Sequence, residues 1–371
     1  MQDSDVAATW KSARGIGYVG VPVVAIVCLA FSWGRDLPLG ILAVLAAVLA
    51  AAVLSAVHHA EIIALRVGEP YGSLVLAVAV TIIEVALIVT LMASSEKPTE
   101  SLARDTVFAA LMITCNGIIG AALLVSTLRG GTARFNAAGA GSGLAAIGAL
   151  ATLSLVLPTF TQSSQGPTFT TSQLAFAALA ALVVYLLFVF VQTVRHRDYF
   201  LPPTESGRAG SEDAHAERPT NRATLVSLLL LALCLVSVVG LAKVDTPLIE
   251  SVVTAVGLPL TAVAVAIALL VLLPESIAAL RAARQGRFQT SVNLAYGSAM
   301  ASIGLTIPTI AVASWLFGYN LVLGLSPVEI TLLAITLVTG ILTVTPGRAT
   351  LLQGGIHLTL FAAFLVLVVS P

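Results

Sequence analysis

The stretch 71–95, YGSLVLAVAVTIIEVALIVTLMASS, carries a single formal charge, Glu84, near its middle. An α-helix needs about 20 predominantly apolar residues to cross a bilayer, so the stretch reads as a membrane span. Glu84 has no route by which to reach water from there. An ionised side chain at the centre of a span costs about 2.5–3.5 kcal/mol on insertion scales, and acids kept at that cost mark ion or proton pathways.

The rest of the chain agrees. Of its 371 residues 58% are hydrophobic and 10% charged, where a soluble domain carries roughly a quarter charged, which excludes a water-soluble fold. Equal numbers of basic and acidic residues, 18 each, give no reason to expect a nucleic-acid partner. Cys28, Cys115 and Cys234 lie singly in separate apolar runs, without the spacing of a metal site or redox pair. Further runs of spanning length lie at roughly 15–33, 38–60, 105–128, 137–158, 172–194, 223–242, 252–280, 289–317, 320–343 and 349–370, giving an all-α integral membrane protein of eleven helices. Basic residues gather on the cytoplasmic side of membrane proteins. With the N-terminus inside, fourteen of the 18 fall inside and only Arg35, Lys97, Arg104 and Lys243 outside. One missed span would invert every later loop and scramble that pattern.

The longest polar interruption, 196–222, is rich in proline, glycine and mixed charge and reads as a disordered cytoplasmic linker. It parts the chain into a cytoplasmic tail (1–14), a first helix (15–37), a five-helix repeat (38–195) and a second five-helix repeat (223–371). Five is odd, so the two repeats insert upside down to one another, the plan of many secondary transporters.

In the second repeat Glu275 follows Pro274 inside the eighth run. A proline removes one helical hydrogen bond and displaces the carbonyl four residues earlier. Freed carbonyl and carboxylate oxygens are what hard cations prefer. Glu84 and Glu275, in spans of opposite direction, are expected to meet near the midplane, where protons and cations would compete for the same oxygens. Thr81, Thr114, Asn116, Asn293, Ser298 and Ser302 are candidate supporting ligands, or packing residues. Gly117 with Ala121 and Gly297 with Ala301 offer small-residue pairs for close helix approach. His58, His59 and Glu61, near the cytoplasmic end of the second run, read as interfacial residues or as a proton relay or pH sensor, since imidazole titrates near neutrality. His357 stands isolated.

The segments 68–74, GEPYGSL, continuing through Glu84, and 104–106, RDT, with Met112 and Ile113, resemble the first alpha repeat of the calcium/proton exchanger branch of the cation/calcium exchanger superfamily, in its bacterial ChaA type. The segments 273–276, LPES, and 293–299, NLAYGSA, resemble its second. The resemblance covers nearly the whole chain. It implies eleven spans with spans 3, 4, 8 and 9 around the site, Glu84 and Glu275 as the essential glutamates, and antiport of Ca2+, Na+ or K+ against H+. The wider family's Gly-Asn-Ala-x-Glu motif is absent at both glutamates, where the sequences are VTIIE (80–84) and VLLPE (271–275), which removes amide oxygens from the site. No resident cofactor is expected, only the transported ions, and the chain is not expected to be an enzyme. An intramembrane hydrolase would need a nucleophile with its base, and neither motif is present; a channel would share the carboxylates but lack proton coupling. Expected partners are the lipid bilayer, inorganic cations and protons, with a homo-oligomer left open, and the expected location is the bacterial inner membrane with the C-terminus periplasmic.

Overall fold

The computed structural model describes residues 13–68, 71–95, 99–201, 219–259 and 261–370. The first twelve residues and 202–218, the body of the expected linker, lie outside them, as do Glu69 and Pro70. Ten of the described helices are long and apolar enough to cross a membrane, and a shorter apolar one, Gly17–Ser32, precedes them. The elements are α1 (Ala13–Ser32), α2 (Leu39–Val67), α3 (Tyr71–Ser94), α4 (Leu102–Met112), α5 (Ile119–Gly130), α6 (Ala137–Ala151), α7 (Leu157–Phe160), α8 (Thr171–Phe190), α9 (Asn221–Val256), α10 (Thr261–Arg284), α11 (Phe288–Gly304), α12 (Thr306–Phe317), α13 (Pro327–Val344) and α14 (Leu351–Val369). Two β-residues, β1 (Ala133–Arg134), pair antiparallel with β2 (Arg348–Ala349).

Several boundaries differ from the hydropathy reading. Spans 7 and 8 do not part at residues 243–251, where Lys243, Asp245 and Glu250 suggest a loop. α9 instead runs unbroken for 36 residues to Val256, and Gly257, at φ 69°, ends it in the left-handed conformation that glycine adopts without steric cost. The fourth span is α4 and α5 joined through a wide π-turn at Ile113–Ile118. The ninth is α11 and α12, broken at Leu305. The tenth starts only at Pro327, where the Ser326 hydroxyl accepts from the Glu329 amide while the Glu329 carboxylate accepts from the Ser326 amide, a capping box.

The helices form two compact units. The first holds α1, α2, α3 and α9, with α9 packed along α2 and against α1 and α3. Pro22 inside α1 has no N–H to give the Tyr18 carbonyl. That carbonyl instead accepts from Ser55 Oγ (2.9 Å) and His59 Nε2 (3.1 Å) of α2. At the turn into α3 a Cβ on Gly72 would lie 2.5 Å from the Ala64 carbonyl oxygen, so only glycine fits. The second unit holds the remaining helices, with α10 packed against α4, α5 and α11.

In the first unit Arg66 Nη2 donates to Asn221 Oδ1 (2.5 Å), and Lys243 Nζ lies 5.2 Å from the Trp33 ring centre. In the second, the Asn136 amide donates to Gln289 Oε1 (2.6 Å), the Val322 amide to the Glu100 carbonyl (3.1 Å) and the Gly324 amide to the Pro167 carbonyl (2.9 Å).

Candidate functional site

Glu84 lies midway along α3, 2% exposed, with Thr81 buried one helical turn before it. Glu275 lies in α10 one residue after Pro274 and is half-buried. Pro274 leaves the Leu270 carbonyl without its helical donor, so an oxygen acceptor and a carboxylate sit on successive turns of one span. Glu84 belongs to the first unit and Glu275 to the second. Of the four spans expected around the site, the structure packs the fourth, eighth and ninth together in the second unit, while the third packs with α2 and α9 in the first.

The supporting residues divide. Ser302 is buried in α11 and Ser298 half-buried one turn before it. Thr114 is buried on the π-turn, where its hydroxyl returns to the Ala110 carbonyl (2.7 Å). Asn293 is engaged elsewhere, donating to the Phe200 carbonyl (2.6 Å) and accepting from Gln289 (2.8 Å).

Asn116 is committed to a polar chain that only the fold reveals. His357 of α14, 1% exposed, has Nδ1 3.0 Å from Asn116 Oδ1 and Nε2 3.2 Å from Thr343 Oγ1. Asn116 Nδ2 donates to Thr336 Oγ1 (2.8 Å). Because an amide oxygen only accepts, His357 donates from Nδ1, and its Nε2 then accepts the Thr343 hydroxyl proton. An imidazole protonated at Nδ1 alone satisfies both of these contacts. The chain ties the π-turn of the fourth span to α13 and α14. We expect Asn116→Leu or His357→Leu to cost about 1–3 kcal/mol, the penalty for stranding a buried polar partner, read as a lower unfolding midpoint in detergent. The double variant should lose less than the sum of the two.

The small-residue pairs are not where helices approach most closely. Gly117 faces the Phe361 ring, and a Cβ on Gly297 would meet nothing within 4 Å. The close crossing pairs Gly120 with Gly354, where a Cβ on either would come within 3.2 Å of the other's carbonyl oxygen. Gly120 lies three residues beyond Gly117, so the small residues were visible but their facing partner in α14 was not. The histidine group is split as well. His59 is buried between the Tyr18 carbonyl and Ser227 Oγ (3.4 Å), whereas His58 stacks on the Tyr18 ring (centroids 4.0 Å apart) with Nδ1 3.9 Å from Glu61 Oε2.

A glutamate enclosed at mid-span in one unit, and a second beside a proline in a span of the other, belong to a multi-pass ion transporter. The sequence profile of the sodium/calcium exchanger proteins matches the chain in two segments, residues 37–194 and 226–370, one on each side of the polar interruption. The chain belongs to the sodium/calcium exchanger protein family, and is thus a membrane protein of secondary cation exchange. It is 45% identical over 354 residues to y4hA of Sinorhizobium fredii (strain NBRC 101917 / NGR234), provisionally described as an ionic transporter, covering 95% of each chain. It is 33% identical to the sodium-potassium/proton antiporter ChaA of Escherichia coli (strain K12), over 93% of this chain and 94% of that one. Its fold matches the crystal structure of the H+/Ca2+ exchanger CAX with a TM-score of 0.71 at 15% identity, over 95% of this chain and 87% of that one.

Proposed function

We propose that the chain is a cation/proton antiporter of the bacterial inner membrane, exporting Ca2+, Na+ or K+ from the cytoplasm as protons enter. Glu84 and Glu275 are its exchanging groups. The observation that carries the reading is Glu84, 2% exposed in an otherwise charge-free span, with Glu275 in the second half of the chain. A carboxylate can hold a cation when ionised and a proton when neutral, so a buried one at mid-span can exchange the two. Thr81 in the span of Glu84, the Leu270 carbonyl in the span of Glu275, and Ser298 and Ser302 of α11 are the candidate neutral oxygens. Sodium-potassium/proton exchange in ChaA and H+/Ca2+ exchange in CAX support the proton coupling and leave three candidate ions. A flux assay in proteoliposomes against each of Na+, K+ and Ca2+ in turn selects among them: the transported ion is the one whose gradient moves protons.

The orientation rests on the charge sorting, fourteen basic residues to four. A cysteine at the exposed Thr132, beside β1, should resist a membrane-impermeant thiol reagent in intact cells, and one at the exposed Gln165 should react, with the native cysteines first replaced by alanine. The opposite labelling would reverse the assignment.

A further inference from the structure

Asp245 lies in the last third of α9, 1% exposed. Among the described residues, neither of its carboxylate oxygens has a hydrogen-bond partner and no Lys, Arg or His forms an ion pair with it. It continues the buried stripe of Cys234, Val238 and Leu241, at the i, i+4, i+7, i+11 spacing of one helix face. Its charged neighbours in sequence point elsewhere. Lys243 is exposed over Trp33, and Glu250 accepts from Ser95 Oγ at 2.7 Å. Of the helices packed against α9, 22–32 of α1 holds only the Cys28 thiol, and 39–57 of α2 and 85–94 of α3 hold no titratable residue; Arg35 and Asp36, which follow α1 close to the level of Lys243 over Trp33, are both exposed.

The depth of Asp245 relative to Glu84 follows from two ties within the same unit. Arg66, just before α3, bonds Asn221 at the start of α9, and Ser95, just after α3, bonds Glu250. The two helices therefore run in the same direction with Ser95 and Glu250 at one level. Glu84 stands eleven residues before Ser95 and Asp245 five before Glu250. At 1.5 Å per residue, Asp245 is about 9 Å nearer the end of the bundle where α3 and α9 finish. Pro247 adds an acceptor beside it, because the Lys243 carbonyl loses its helical donor.

A carboxylate ionised and unpaired in apolar surroundings costs several kcal/mol, so this one needs a positive partner, and a proton is the one that fits without further ligands. We propose that Asp245 is a proton-loading acid of the exchanger, taking up a proton from the periplasmic side and holding it on the way to Glu84. The inference rests on the antiport reading above. In the step, an O–H bond forms on Asp245 as water on that side gives up a proton. The same bond breaks when the proton passes inward to the Glu84 carboxylate as its cation leaves.

The test is infrared spectroscopy together with flux on the full-length protein in proteoliposomes. Asp245→Asn is expected to remove one protonated-carboxyl band that Glu84→Gln leaves in place. It should slow exchange several-fold when external protons are limiting, with unchanged cation affinity and recovery at high proton concentration. Asp245→Glu, which keeps the acid, should keep the band and most of the rate, and serves if the asparagine variant does not fold. An unchanged set of bands in Asp245→Asn, or a lost band with the same rate at every pH, overturns the proposal. Wild-type protein that moves cations without protons would overturn the antiport reading, and the proton-loading role with it.

Discussion

Glu84→Gln and Glu275→Gln are each expected to bring exchange below detection while the protein still folds and inserts. Glutamine keeps the shape of glutamate but offers a neutral amide that neither releases a proton nor balances a cation's charge. At Glu84, 2% exposed, the substituted side chain is also closed off from bulk solvent. Glu→Asp keeps the charge and shortens the reach by one methylene, so partial exchange with weaker cation affinity is expected. The measurement is cation-driven proton flux by each purified variant, with size-exclusion profiles to establish folding. Full flux in either glutamine variant would remove that residue from the exchange chemistry.

The second large effect is on stability. Asp105 in α4 is 2% exposed and fully engaged: Arg104 Nε and Nη2 donate to Oδ1 at 2.7 Å, Ser101 Oγ to Oδ2 at 3.0 Å and Thr261 Oγ1 to Oδ2 at 3.3 Å. Arg104 also donates to the Gly324 carbonyl (3.0 Å). One carboxylate thus joins α4 to the first residue of α10, the helix that carries Glu275, and to the extended segment before α13. Asp105→Ala strands a guanidinium and two hydroxyls, and removing one partner of a buried pair costs about 3–5 kcal/mol. The expected result is a large drop in the thermal unfolding midpoint. Asp105→Asn, which can still accept two of the hydrogen bonds, should fall between the alanine variant and wild type.

Much of this architecture was legible in the sequence because membrane insertion writes strong one-dimensional signals. Glu84 stood out as the sole charge in 25 residues, and the lopsided sorting of Lys and Arg agreed with a count of eleven spans before any contact was known. What stayed hidden depends on distant partners or on how a helix ends. The charges at Lys243 and Asp245 looked like a loop, yet the chain continues as helix: Lys243 reaches over Trp33, and Asp245 is buried. His357 looked isolated because its partner Asn116 is 241 residues away. Asn116 itself, an amide in a span beside Thr114, carried the signal of a ligand, and only the fold shows its oxygen and nitrogen spent on α13 and α14. His59 could be traced to Pro22 only after the structure set the freed Tyr18 carbonyl beside it.

The central claim, that cation movement is coupled to protons through this chain, is met most directly by imposing a pH gradient across proteoliposomes holding the wild-type protein and following Na+, K+ and Ca2+ in turn. The account predicts that an inward proton gradient drives at least one of these ions out against its own gradient, and that a protonophore abolishes the uphill phase. Cation flux that only runs downhill and ignores the proton gradient would contradict it and make the protein a channel.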